Sequence, residues 1–508
     1  MQYLLSWIIF TPMIFALVAA ITPHSFEGKL RSLTLIQTLV NAFLAIILYM
    51  NFDGTSDSGQ FVQMTDWLPE WGLKYIVSVD GISLPLVMLT AFVSPLALLG
   101  TWPAAGSLKK EKFFVIMIMA LQAGMYGTFF AADLFLFYFF WEVVLIPMFF
   151  MIGIWGGKDR IYATVKFFLY TMVGSLLMLV AIFWLIKTTG VSGSPSAAYA
   201  DVSHLKFAFD PTNFWTAIKS PQSLLFLAFA LAFVIKVPMV PFHTWLPDAH
   251  VQAPTVGSVF LAAVLLKLGT YGLMRIAIPF FPQAAHYFSS FFITMGVIGI
   301  IYGAFCALAQ TDFKKLVAYS SVSHMGFIVV GLFSFNKIAI AGSLYQMINH
   351  GISAGGLFMI VGFLYERLHT RNLEEFGGLA KTVPLMAIAF MIMTLSSVAI
   401  PGSNGFVGEF TILLGSFQTH PIFVLFAGTG VIFGAVYALK AYQMVMLGPA
   451  TRSDLDHLHD LNTKEIIAMV VLAIFVFGIG FFPKTFFWKS DASLESYANS
   501  LITSVGQL

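Results

Sequence analysis

The chain has 508 residues, of which 59% are hydrophobic and only 10% charged, against about 45–50% and about 25% in soluble domains, so a water-soluble fold is excluded. The net charge of +2 comes with no basic cluster outside short loops, which gives nucleic acid no footing. A single cysteine, Cys306, sits in an apolar run and reads as a small packing residue; it excludes an internal disulfide framework and an iron–sulfur cluster held by this chain alone.

Apolar runs of about 18 to 25 residues match the length a helix needs to cross about 30 Å of hydrocarbon. In chain order they fall near 3–21, 30–50, 77–101, 113–131, 134–155, 163–186, 223–241 and 253–278, then near 288–309, 315–333, 338–365, 383–417, 421–447 and 464–483. The first has no basic residue before it and no small-residue cleavage site after it, so it reads as a retained helix and not a signal peptide. The expected fold is all-α, an integral membrane protein of about fourteen transmembrane helices. No GxGxxG stands between a strand and a helix and no GxxxxGK[ST] occurs, so nucleotide chemistry is not encoded.

Lysine and arginine are retained on the cytoplasmic side of short loops. The loops with Lys29 and Arg31, Lys109 to Lys112, Lys158 to Lys166, Lys314 and Lys315, Arg367 to Lys381, and Arg452 to Lys464 hold about fifteen basic residues; the alternate loops hold about eight. Both termini are therefore expected on the non-cytoplasmic side, with the chain in a bacterial inner membrane.

Two spans are interrupted. Pro238 and Pro241 follow Lys236 in the seventh, and Pro401, Gly402, Gly405 and Gly408 precede Glu409 in the twelfth. Lipid cannot satisfy the backbone groups such breaks expose, and broken helices in matching positions of two halves point to a transport site at mid-membrane depth. Counting spans 4–8 and 9–13 as two units, the broken span is fourth in both, and five crossings each make the repeats inverted. Lys236 precedes Lys267 by 31 residues, as Glu409 precedes Lys440. The expected organisation is 1–112 for the first three spans, 113–278 for the first five-helix repeat, 288–447 for the inverted second repeat, and 448–508 for the last span and a short tail.

A charge at the bilayer centre costs about 2.5–3.5 kcal/mol on insertion scales, so it is rare unless paired or useful. Four stand out: Glu142 in FYFFWEVVLIPMF, Lys236 in FAFVIKVPMVPF, Lys267 in FLAAVLLKLGTYG and Glu409 in PGSNGFVGEFTILL. Burial favours a neutral amine and a nearby carboxylate favours the ammonium, so moving the carboxylate loads or unloads a buried lysine. Glu142 is the expected partner of Lys236, Lys267 the next carrier and Glu409 the far terminus; structural ion pairs tying helices together are the alternative.

His324 and His350 lie in apolar spans beside serine or asparagine and read as proton relays, against satisfied structural histidines or a haem-binding pair. In HTWLPDAHVQAPT, His243, Asp248 and His250 form a short polar break. His243 is a candidate cytoplasmic access point there; a packed loop or a metal site are the other readings. Asp133 reads as a solvated turn, Lys440 as a snorkelling helix-end lysine, and Gly269, Gly272 and the glycines of HGISAGG as sites of close helix packing.

KVPMVPFHTWLPDAHVQAPT from Lys236, YSSVSHMGF from Tyr319 and PGSNGFVGEF from Pro401 resemble the antiporter-like subunits in the membrane arm of proton-pumping NADH:quinone oxidoreductase, respiratory complex I. Subunits of multi-subunit cation/proton antiporters and membrane-bound hydrogenases share these motifs and supply the alternative function. LYERLHTRNLEEFGGL from Leu364, and glutamate instead of lysine at 409, resemble the subunit M or mitochondrial subunit 4 type; a D-type antiporter subunit shares the glutamate. The resemblance spans essentially the whole chain. It implies fourteen helices with two inverted repeats, and a proton pathway through Glu142, Lys236, Lys267 and Glu409 with His324 and His350 in the connecting hydrated axis. It implies a translocase subunit with no metal or cofactor of its own, flavin and iron–sulfur clusters residing in partner subunits. Expected partners are the other membrane-arm subunits, including antiporter-like sisters, and membrane lipids. No long lateral helix is expected after the last span.

Overall fold

The computed structural model describes residues 3–23, 28–102, 110–192, 194–450, 455 and 457–505; Lys109 and Arg452, counted above among the basic loops, lie outside the described residues. Helices α1 (Leu4–Ile21) and α2 (Leu30–Asn51) lead into an antiparallel hairpin of β1 (Gln60–Leu68) and β2 (Leu73–Val79). The hairpin corrects the expected helix start at 77. Asp80 sets the boundary: its Oδ1 accepts from Ile82 N at 3.1 Å and Ser83 N at 3.0 Å, so α3 (Ser83–Thr101) begins there and the preceding apolar residues pair as a strand. Then come α4 (Glu111–Phe130), α5 (Leu134–Trp155) and α6 (Arg160–Ser192).

Both interruptions are real. The seventh span is α7 (Pro221–Lys236) followed by α8 (Trp245–Gln252). Its freed Ile235 carbonyl accepts from Trp245 Nε1 at 2.9 Å, the kind of partner a broken helix requires away from water. Next are α9 (Thr255–Phe280), α10 (Ser289–Leu308), α11 (Phe313–Phe333) and α12 (Lys337–Leu368). The twelfth span is α13 (Pro384–Ser397) and α14 (Asn404–Phe417), with Gly402 between them at a φ of +90°, a conformation only glycine adopts freely. Then α15 (Pro421–Met446), α16 (Thr463–Phe481) and, after the short helical turns Pro483–Phe487 and Trp488–Ser490, α17 (Asp491–Val505) complete the described chain. The expected short tail is thus itself helical, and Ser493 Oγ takes the Gly81 N–H at 3.0 Å, fastening α17 to the start of α3.

Twelve of these helices are long and apolar enough to cross a membrane, counted among the described residues, and the two broken spans add shorter apolar pieces. The more exposed of them surround a buried centre. α9 and α12 have their whole most apolar window buried, whereas α15 has 28% buried and turns Leu425 and Ile432 outward. A helix that is apolar all round and buried all round is a core helix; α9, α11 and α12 are such helices, and they carry Lys267, His324 and His350. Cys306 is half-buried on α10 and not a core residue. Asp133 is the larger correction. It is fully buried and caps α5, accepting from Phe135 N at 2.9 Å and Leu136 N at 3.0 Å, so it is no solvated turn.

Candidate functional site in the buried charged axis

Close backbone approach brings the charged helices together. A Cβ on Gly269 would stand 2.8 Å from Phe233 O, one on Gly272 2.4 Å from the Phe233 ring, and one on Gly351 2.9 Å from Ala263 O. Glycine at these points lets α9 press against α7 on one side and α12 on the other. On α14, Gly408 does the same against Gln346 of α12.

A wide π-turn, Leu261–Leu265, immediately precedes Lys267, a deviation frequent at functional sites. Lys267 Nζ reaches back to Ala262 O at 2.5 Å and across to His350 Nδ1 at 2.6 Å. The His350 ring lies 5.5 Å from that of His324, centroid to centroid. His324 Nδ1 is 2.7 Å from Glu409 Oε1, and its Nε2 is 3.0 Å from Ser397 Oγ and 3.3 Å from Tyr437 Oη. Gln346 Nε2 donates to the same Glu409 oxygen at 3.0 Å. Lys267, His350, His324 and Glu409 therefore form one buried file across four helices. Asn349 lies beside it with neither side-chain polar atom partnered within the protein, as is true of His350 Nε2.

Lys236 and Glu142 stand differently. Lys236 is 2% exposed, with Nζ 4.3 Å from the centroid of the Trp141 ring, a cation–π contact. Among the described residues no carboxylate oxygen lies within 4.0 Å of that nitrogen. Glu142 is half-buried on α5, within electrostatic reach of Lys236 and beside Ser175 of α6. The two are neighbours held apart, not a closed ion pair.

His243 is buried in the break after α7, its ring edge-on to Tyr302 at 5.2 Å and its Nδ1 without a protein partner. It does not join the hydrogen-bonded file. Asp248 pairs with Lys166 at 2.7 Å, and His250 is stacked on Phe358 at 4.4 Å with both ring nitrogens unpartnered, so the three polar residues of the break serve three different surroundings. Lys314, placed above in a basic loop, is instead buried in the first turn of α11, where Nζ caps Ala253 O at 2.5 Å. Lys440 is exposed near the end of α15. Gln346, Ser397, Tyr437 and Trp141 are the site residues the sequence reading passes over; their residue types are common in such helices, and only the fold brings them to the charged groups.

Known proteins resemble the chain over nearly its whole length. The chain matches the family model described as NADH:quinone oxidoreductase/Mrp antiporter, TM, over residues 131–434, and the model described as NADH-ubiquinone oxidoreductase chain 4, amino terminus, over residues 3–128. NADH-quinone oxidoreductase subunit M of Rhodobacter capsulatus is 43% identical over 487 residues, covering 95% of this chain and 94% of that one. A chain from the structure of respiratory complex I from Thermus thermophilus with bound NADH superposes with a TM-score of 0.87 at 29% identity, covering 98% of this chain and 99% of the other. A chain of the Mrp complex from a Dietzia species superposes with a TM-score of 0.81 at 18% identity over 99% of both, a likeness of fold alone. The chain belongs to the family of NADH-quinone oxidoreductase subunit M, the bacterial counterpart of NADH-ubiquinone oxidoreductase chain 4.

Proposed function

We propose that this chain carries protons across the membrane as subunit M of an NADH:quinone oxidoreductase, driven by quinone reduction in partner subunits that hold the flavin and iron–sulfur clusters. The observation that carries the reading is the file from Lys267 through His350 and His324 to Glu409, buried in the centre of the helix bundle. An ammonium at Lys267 donates to His350 Nδ1, which leaves that histidine's own proton on Nε2. A proton accepted at Nδ1 is then matched by one released from Nε2, and imidazole does this near neutral pH. His324 repeats the arrangement between Glu409 on one nitrogen and Ser397 with Tyr437 on the other. Ordered water is the usual partner of buried polar atoms such as Asn349 Oδ1 and His350 Nε2, and such water would complete the connection between the rings.

Glu142 and Lys236 act as the control pair: because they are near but not bonded, a small shift of the carboxylate changes the charge state of the amine. His243, in the break beneath them, is the access point from the cytoplasm. The two halves 113–278 and 288–447 are inverted repeats, 1–112 and 448–508 flank them, and both termini face away from the cytoplasm of a bacterial inner membrane. Breaks at the corresponding span of each half support that division.

Replacing Lys236 with Ala in the assembled complex is the test, with proton translocation and NADH-driven quinone reduction measured together. We expect both to fall sharply; near-normal pumping would sink the pathway. The antiporter fold leaves a second reading, a cation/proton exchange subunit. It requires proton exchange linked to sodium or potassium in vesicles without any electron donor, which the first reading does not.

A further inference from the structure

Apart from the charged axis, a slot of about 330 Å³ lies between α2, α3, α12 and α16. Along α3 its lining runs from Leu84 to Leu96, a rise of about 18 Å at 1.5 Å per residue. That is close to the depth of one leaflet of a hydrocarbon core about 30 Å thick. Over this length the wall is aliphatic and aromatic, with Met88, Phe92, Ile352 and Leu472 facing the space; the polar residues Thr485, Lys489 and Ser490 come in together after α16.

Those polar residues sit where α2 ends and α3 begins. Lys489 Nζ donates to Tyr49 O at 2.6 Å and Phe52 O at 2.7 Å, and stands 4.6 Å from the centroid of the Tyr49 ring. Two of the ammonium's three donors are taken in this way, and the rings of Trp488 and Phe52 stand 5.1 and 5.9 Å from it. Asp53 is the carboxylate within electrostatic reach of Lys489, and its Oδ1 is already taken by Thr55 N at 2.9 Å and Thr55 Oγ1 at 2.7 Å. Leu84, Leu89, Val93 and Leu472 are almost fully buried, so the slot is closed at the back. A hydrocarbon chain fits it. Ile46 of α2, well exposed, marks the side open to the outside.

We propose that the slot binds a phospholipid, one acyl chain lying along α3 and an anionic phosphate resting against Lys489. Ile348 and Ile352 line its inner reach, and they flank His350 on α12. The bound chain is thus part of the apolar wall that separates the charged axis from the bilayer, whatever order the protons follow.

To test this, the whole complex is reconstituted in equal parts of phosphatidylglycerol and phosphatidylcholine, one of the two carrying a photoactivatable diazirine on its acyl chain, then irradiated and digested. Label is expected on peptides holding Met88 and Phe475. Phosphatidylglycerol should label them about fivefold more than phosphatidylcholine, the ratio equivalent to the ~1 kcal/mol that one basic residue contributes at an anionic surface. Lys489→Ala should bring that ratio to about one while leaving the slot labelled; Met88→Trp, which fills the slot, should lower label from both lipids. The proposal is overturned if the wild-type slot takes no label from either lipid, if both lipids label it equally, or if Met88 cross-links to another subunit, which would mean that protein occupies the space.

Discussion

Glu409 Oε1 receives His324 Nδ1 and Gln346 Nε2 together, and the chain gives His324 two further hydroxyl neighbours on its other nitrogen. These partners differ in what they supply. The carboxylate can hold a charge and a proton; Ser397 and Tyr437 offer neutral hydroxyls that orient the ring. Glu409→Gln should therefore lower proton translocation about tenfold or more, in line with the ~10²–10⁴ that positioned acid–base groups contribute, while Ser397→Ala, with Tyr437 Oη still 3.3 Å away, should change it little. Proton pumping by reconstituted complex checks both, and equal losses would show that the file acts as scaffold and not as relay. For the proposed control pair, Glu142→Gln should be nearly as severe as Lys236→Ala because a neutral amide cannot modulate the lysine, and Glu142→Asp should keep part of the activity; quinone-reduction rates distinguish the two variants.

At the level of helices, glycine spacing governs how near the charges come. Gly269→Ala would put a Cβ 2.8 Å from the Phe233 carbonyl, a backbone atom that cannot swing aside, so α7 and α9 must part. Overpacking of this kind costs about 1–3 kcal/mol, seen as a lower unfolding temperature of the subunit. The same separation moves Lys236 from Lys267, so pumping should fall more than assembly. The apolar spans, the two breaks and the isolated charges were legible in the sequence because each is a local signal: a long apolar run, a proline or glycine cluster, a lone ionisable residue. Other features were not. The β1–β2 hairpin is short and adjoins an apolar stretch that reads equally as helix, and Asp133 and Lys314 look like loop residues until the fold buries them as caps. Lys440, read as a snorkelling helix-end lysine, is exposed, although it repeats the 31-residue spacing that leads to the fully buried Lys267. Spacing along the chain does not report which way a helix face turns.

For the molecule as a whole, a largely buried ion pair at the end of α12 joins distant parts of the chain. Arg367, at the end of α12, donates to Glu465 Oε1 at 3.1 Å and Oε2 at 2.7 Å, and to the carbonyls of His459 and Asp460, tying the central helix to the start of α16. Glu465 is nearly inaccessible, so Arg367→Ala leaves a buried carboxylate unpaired at a cost of about 3–5 kcal/mol. We expect a clear drop in the amount of assembled complex in membranes, with Arg367→Ala/Glu465→Leu recovering much of it; no recovery would mean that the backbone contacts of Arg367 dominate.

The indole of Trp141 faces the Lys236 ammonium at 4.3 Å, with no acid among the described residues closer to it than 4.0 Å. A ring that near a cation senses its field directly. Fluorine placed on that indole would give a resonance that moves when the amine becomes neutral, so the subunit carries a built-in gauge by which turnover could be followed at one lysine.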